Sequence, residues 1–423
     1  MSQTTQQSTA KEPSTTDRIS RDPSQPVPTR QRRPEWLAFL AATLALVTAF
    51  VASAAPLPLY NTYRAQNGVT TADLSLTVVA YFLGTIGALL CLGRLSTHLG
   101  RKPVTIATLI LVMAGCLVLL RVDSVLPLVA GRFLMGVGCG MASSAVMAFV
   151  VDAAPPEPPW LATLITSQGP NVGLTLGAFG SGALVDLGPA PRTTVFITMA
   201  ALLAVSLVLV LLAPETHPRT PGARASLRPQ VALPRQARRL MPVAAMSFMA
   251  TWALGAAYQS LGPSITQDYL HTDKALGMAL VFASYMVPGV LGAPFGSRFL
   301  PATAQRIGIS GFLVGAVGLW ASLLGGSMVG FMLFGALAGC CQGITVTSAI
   351  RGLMHGVAPA DRASVLAAIY LTCYLGAMVP NLVIGQLTKL FSLPQVMTGF
   401  VAMAVVAAVI TWLWARNPDG LAA

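Results

Sequence analysis

One cation stands alone inside a long apolar run of this chain. Arg132 opens the stretch Arg132-Phe133-Leu134-Met135-Gly136-Val137-Gly138, and no acid shares its run. An ionised side chain at membrane depth costs at least a few kcal/mol, so it marks a functional residue by default. Its chemistry would be contact with an anionic ligand group. The structural alternative is bonding to backbone carbonyls near an interface by snorkelling. The fourteen acids lie elsewhere, every one in a tail, a loop or the end of an apolar run. Eleven polar or aromatic residues do fall inside the runs: Tyr81, Gln168, Asn171, Trp252, Tyr258, Gln259, Tyr285, Gln342, Tyr370, Tyr374 and Asn381. A ligand pocket is mostly apolar with a few placed polar groups, and this set has that character. For each residue the competing role is an interhelical hydrogen bond. The seventeen methionines suit an adaptable surface or plain core filling.

No catalytic constellation accompanies them. There is no Gly-x-x-x-x-Gly-Lys-Ser/Thr phosphate loop and no His-Glu-x-x-His pair. The four histidines, His98, His217, His271 and His355, are scattered. The six cysteines lie within apolar runs at no metal-ligand spacing and read as small apolar side chains. The expectation is a protein that is not an enzyme, with no cofactor and no metal.

The elements that must hold these residues follow from composition. The 423 residues are 54% hydrophobic and only 9% charged, with a mean hydropathy of +0.70; soluble domains carry about 25% charged residues. With lipid as the solvent, every backbone polar group must be paired internally. The runs are too long and too continuous for barrel strands of ~10 alternating residues. The fold class is therefore an all-α membrane protein. Spans are expected near 36–58, 74–94, 104–121, 126–150, 160–185, 193–213, 241–263, 276–296, 307–325, 328–350, 364–388 and 395–415.

The net charge of +12 first suggests nucleic acid. The cations instead cluster in the loops between apolar runs, which is the pattern of membrane topology and not a phosphate-binding stripe. With the N-terminus inside, 20 of the Lys and Arg residues fall on the cytoplasmic side, 5 fall outside and Arg132 is left in its span. Both termini are then cytoplasmic. The expected organisation is a disordered cytoplasmic tail at 1–35, a six-helix half at 36–213, a cytoplasmic linker at 214–240, a second half at 241–416 and a tail at 417–423. The linker carries six arginines and five prolines without apolar periodicity.

Between the second and third runs lies Gly93-Arg94-Leu95-Ser96-Thr97-His98-Leu99-Gly100-Arg101-Lys102. It resembles the loop signature of the major facilitator superfamily, Gly-x-Leu-x-Asp-x-x-Gly-Arg-Lys/Arg, with Thr97 in place of the acid. The Arg132–Gly138 stretch resembles the family's Arg-x-x-x-Gly-x-Gly element, and Phe149-Val150-Val151-Asp152 its exit from the fourth helix. Gly169-Pro170-Asn171-Val172-Gly173 resembles the fifth-helix element of the exporter branch, with Leu174 where a glycine is expected and Gly177, Gly180 and Gly182 beyond. The chain also repeats. Gly93 matches Gly296, Ala154-Pro155-Pro156-Glu157 matches Ala358-Pro359-Ala360-Asp361, and Gly182 matches Gly385, at a spacing of 203 or 204. Two parallel six-helix repeats are how this superfamily is built.

The resemblance implies twelve transmembrane helices in two pseudo-symmetric six-helix halves, of the major facilitator fold. It implies a secondary active transporter in the plasma (inner) membrane that works by alternating access, with gating at Gly93, Thr97, Gly100, Arg101 and Lys102. The glycines Gly169, Gly173 and Gly177, with Pro170, would pack the fifth helix closely where the halves meet. Proton relay through Arg132 is a further implication. Proton-driven members often use a buried carboxylate, and Asp152 and Asp73 are the nearest candidates here. The expected cargo is a small amphipathic compound exported in the manner of a multidrug-type efflux antiporter. The alternative is an uptake carrier for a sugar, organic acid or other small metabolite. Its partners would be that small-molecule substrate, protons and the lipid bilayer, with no nucleic acid, and the chain would act as a monomer.

Overall fold

The computed structural model describes residues 29–158, 160–229, 233–358 and 361–421. The expected N-terminal tail lies outside the described residues from 1 to 28. Among the described residues every regular element is helical. Twelve long helices run in order: α1 Thr29–Ala54, α2 Thr71–Leu92, α3 Arg101–Leu119, α4 from Val125–Met141 through to Met147–Ala153, α5 Leu161–Leu187 and α6 Pro191–Leu212. The second set is α7 Arg235–Ser260, α8 in two segments Ala275–Met286 and Gly289–Gly296, α9 Pro301–Leu324, α10 Met328–Met354, α11 Arg362–Leu387 and α12 Leu393–Trp414.

Eleven of these are long and apolar enough to cross a membrane. The other is α5. It has 27 residues, about 40 Å of helix at 1.5 Å per residue, but its Gly, Ser, Thr, Gln and Asn residues dilute its hydropathy. Three helix starts differ most from expectation, one being α9, which begins at Pro301 and not at 307. α1 begins at Thr29, inside the segment expected to be tail, and α7 begins at Arg235, inside the expected linker. Both starts are arginine-rich, so these first turns lie beyond the apolar spans.

Local chemistry sets the ends and breaks. α2 opens with a capping box: Thr70 Oγ1 accepts from Asp73 N at 3.2 Å while Asp73 Oδ2 accepts from Thr70 N at 2.9 Å, which satisfies two orphan donors of the first turn. Pro56 and Pro58 end α1, and the chain continues through a short helix, Tyr60–Asn67. Pro263 does the same after α7, starting the short helix Gly262–Asp268. In α4, Ser143 and Ser144 hydroxyls donate back to Cys139 O and Gly140 O, beside a π-turn at Ala142–Val146. Such turns often mark functional sites.

The two halves are built alike. In the first, α2 packs on α4, α3 on α4 and α6, and α1 on α5 and α6; the second repeats this as α8 on α10, α9 on α10 and α12, and α7 on α11 and α12. Glycines explain the closeness. A Cβ on Gly136 would run into the Tyr81 backbone, and one on Gly339, 203 positions on, into the Tyr285 backbone. Gly140 and Gly343 stand in the same relation to Thr85 and Gly289, and Gly173 and Gly376 to Val47 and Met249. Small residues let membrane helices meet backbone to backbone. Across the halves, α2 packs on α11 and α5 on α8.

Candidate functional site

The side chains that meet between the halves form a line of rings ending at Arg132. From α2, Tyr81 and Phe82 pack edge to face at 5.3 Å. Phe82 meets Tyr374 of α11 at 5.8 Å, and Tyr374 meets Trp252 of α7 at 5.1 Å and Tyr370 at 6.3 Å. Offset and edge-to-face pairs at such separations suit the ring quadrupoles. The line therefore joins α2 of one half to α7 and α11 of the other.

At its far end Arg132 is fully buried. Its guanidinium lies 4.5 Å from the Tyr81 ring centroid. It donates to the Ser53 carbonyl at 2.6 Å and to Gln259 Oε1 of α7 at 3.3 Å. Its Nε has no acceptor. Every partner is neutral, so the charge is solvated by a carbonyl, an amide and a ring face and balanced by none of them. The Arg132–Gln259 contact also crosses between the halves. Close packing against α2 follows from Gly136, one turn along α4, which lets Tyr81 approach.

The other residues singled out by type divide. Gln168 and Asn171 of α5 and Gln342 of α10 are half-buried, and Gln168 Oε1 lacks a partner. Tyr258, Tyr285 and Asn381 lie elsewhere than a shared cavity. Tyr258 and Tyr285 stack at 4.8 Å, and Tyr258 packs on Phe331, inside the second half; Tyr285 donates to Thr251 O at 2.8 Å. Asn381 ties α11 to α7 through Ala253 O and Ser260 Oγ. Tyr285 and Asn381 form interhelical bonds of one half, while Tyr258 packs by its ring and its hydroxyl is buried without a partner. The α5 glycines also differ from expectation: Gly169, Gly173 and Gly177 press on Leu46, Val47, Phe50 and Val51 of α1, within the same half. Gly182 is the one that meets the other half, at Ala275, echoed by Gly385 against Ser75.

One end of the interface is tied shut by polar contacts. The short helices after α1 and α7 face each other there. Arg64 pairs with Asp268 at 2.8 Å and donates to Gln267 Oε1 at 3.1 Å. Asn61 donates to Pro263 O, and the Thr71 and Ser264 hydroxyls meet at 2.9 Å. Asp186, at the end of α5, accepts from Ala275 N and Leu276 N, both at 2.9 Å. A carboxylate there meets the positive end of the α8 dipole. No spacing in the sequence points to these contacts, because the partners lie between 89 and 204 positions apart.

The loop Gly93–Lys102 lies at the opposite end. Gly100 has φ +97°, a conformation that favours glycine, and a Cβ there would press on the Glu215 carboxylate. Glu215 Oε1 accepts from Arg101 N at 2.9 Å and Oε2 from Lys102 N at 3.1 Å, capping α3 from beyond α6. Arg101 Nε pairs with Asp152 Oδ2 at 2.7 Å, and Lys102 Nζ donates to Leu211 O and Ala213 O. Thr220 Oγ1 donates to Thr97 O, and Arg94 donates to Ser226 O and Arg228 O. The expected linker is thus packed on the loop, and the acid absent at Thr97 is answered by two others. Asp152 is spoken for by Arg101, and Asp73 by its cap. The second half carries a neutral version: Asn417 Oδ1 accepts from Ala302 N, and Arg306 donates to Ala415 O.

Phe82 and Glu215, with Arg64, Asp186 and Asp268 of the sealed end, are site residues missed from sequence. Phe82 follows Tyr81 and is one of sixteen phenylalanines; Glu215 sits in a segment read as spacer.

Comparison with known proteins agrees with this architecture. The family profile described as Major Facilitator Superfamily matches residues 37–379. The multidrug resistance protein MdtL of Klebsiella pneumoniae is 26% identical over 357 residues, covering 76% of this chain and 84% of that protein. The multidrug transporter MdfA of Yersinia pestis is 31% identical over 133 residues, 31% of each chain. A shorter match, 38% over 78 residues, spans only 11% of Monosaccharide-sensing protein 2 of Arabidopsis thaliana. Among solved structures, the inward-open xylose transporter XylE from E. coli superimposes with a TM-score of 0.71 at 16% identity, covering 92% of this chain and 98% of that one. The nucleoside transporter NupG gives 0.69 at 15%, covering 90% and 100%. With the profile running through both halves and the fold shared along their length, this chain belongs to the Major Facilitator Superfamily and is a multi-pass membrane transporter.

Proposed function

We propose that the chain exports small amphipathic compounds by alternating access, driven by protons moving the other way. The observation that carries this reading is the line Tyr81–Phe82–Tyr374–Trp252 between the halves. Rings offer broad contact to an apolar body, whereas a sugar asks for a polar partner at each hydroxyl. MdtL and MdfA, matched by sequence, are named as multidrug proteins, which supports the same choice. The proton as coupling ion rests on the family resemblance. We place both termini, the linker and the Gly93–Lys102 loop in the cytoplasm on the distribution of Lys and Arg, in the plasma membrane and as a monomer. The end sealed by Arg64 and Asp268 is then the outer one, and the state is closed to the outside. The halves would be 36–213 and 241–416, joined by 214–240.

Arg132 favours a second reading, uptake of an organic acid, because a lone buried cation suits an anionic nutrient.

The test is overexpression in a strain stripped of its own pumps, with growth and intracellular accumulation measured across a panel of toxic compounds. Export predicts raised tolerance and lower accumulation, abolished by a protonophore. Unchanged tolerance to every compound, with uptake of a labelled organic acid, replaces this reading by the second. An Asp152→Asn variant with an intact response to the pH gradient removes that residue from coupling.

A further inference from the structure

The interface between the halves holds buried donors that lack acceptors. Arg132 is fully buried, its partners Ser53 O, Gln259 Oε1 and the Tyr81 ring are all neutral, and its Nε is unmet. Trp252 Nε1, at the other side of the ring line, is likewise buried without an acceptor. Among the described residues no Asp or Glu lies in the interior of a long helix. A buried charge without a counter-ion is strongly disfavoured, so whatever supplies a negative charge here gains more than it would on a surface. An organic cation meets the reverse: repulsion from Arg132 and no carboxylate to replace its hydration.

The contact holding Arg132 across the interface is also its weakest. The 3.3 Å bond to Gln259 is longer than the usual 2.9–3.0 Å. It is the bond that ties Arg132 of α4 to α7 of the other half, so a carboxylate competing for the guanidinium edge beside Tyr81 has only this long bond to displace across the interface.

We infer that the cargo of this transporter is an amphipathic monoanion. Its carboxylate pairs with Arg132, its apolar body lies along Tyr81, Phe82, Tyr374 and Trp252, and organic cations are excluded. The inference deepens the export reading above and rests on it.

The test uses the purified full-length chain and three probes that share one ring system: 1-naphthoate, 1-naphthalenemethanol and 1-naphthylmethylammonium, titrated by calorimetry. The expected order is naphthoate at least about tenfold tighter than the ammonium, with the alcohol between. A tenfold ratio corresponds to about 1.4 kcal/mol. Arg132→Gln brings naphthoate and ammonium to within about twofold of each other. Equal or tighter binding of the ammonium overturns the inference, as does a charge preference that survives in Arg132→Gln, or failure of all three to bind. Should Arg132→Gln not purify as a monodisperse protein, the wild-type ratio alone decides. Export of cationic compounds in the growth panel with no binding of naphthoate sinks this inference and leaves the export reading standing. No export of any compound sinks the export reading by itself.

Discussion

Replacing Asp268 by Asn should loosen the sealed end of the interface. Arg64 donates to both carboxylate oxygens of Asp268, at 3.3 and 2.8 Å, with side-chain exposures of 22% and 40% for the pair. A half-exposed ion pair is worth about 0.2–1 kcal/mol, and its two-pronged geometry places this one near the top of that range. The amide keeps the shape and leaves the Arg64–Gln267 bond in place but loses the charge. A loss of about 1 kcal/mol is roughly a fivefold change in an equilibrium, so a closed population of about nine-tenths would fall to about two-thirds. Spin labels at Gln66 and Asp273, both exposed and on opposite sides of the seal, report the separation by pulsed electron resonance in a cysteine-free background. The expected result is a second, longer distance that grows in Asp268→Asn. It shrinks again in the charge-swapped pair Arg64→Asp with Asp268→Arg. At about 1 M salt, where the screening length is about 3 Å, wild type and variant should converge. A distance distribution that ignores the substitution would refute the ion pair as a seal; a shift that the swap does not reverse would refute its Coulombic origin.

Glu215→Gln should lower thermal stability by about 0.5–2 kcal/mol, since the carboxylate caps α3 and meets its dipole. Asn417→Asp, at the neutral counterpart, should raise it by about 0.3–1 kcal/mol; melting of both in the same detergent checks the pair, and equal signs would count against the capping account. Gly136→Ala should cost about 1–3 kcal/mol by overpacking, because the new methyl meets the fixed Tyr81 backbone. Gly180→Ala, with nothing within 4 Å of its Cβ, should be neutral or mildly stabilising. Similar melting losses in both would show that helix flexibility, not contact, is at stake.

Composition and local pattern already carry much of this protein. Lipid leaves the backbone one open solution, the helix, so apolar runs of span length and basic loops are enough to lay out twelve helices in two halves. The repeat at 203 was legible in three landmarks, and the structure adds Gly136 with Gly339 and Gly173 with Gly376. Arg132 stood out because a charge in such a run has no ordinary reason to be there. What residue type could not separate was which polar side chain faces the other half and which ties its own half together. Gln259 meets Arg132 and Tyr374 meets Phe82 across the interface; Tyr285 and Asn381, equally polar and equally placed in apolar runs, are spent on bonds to α7. That choice depends on helix rotation, which is set by packing against neighbours distant in the chain. Glu215 reaching the start of α3, Asp186 reaching α8 and Arg64 reaching Asp268 span 113, 90 and 204 positions. Only the folded chain brings such ends together, so only the tertiary structure could decide where this transporter is sealed and which acids answer its loop.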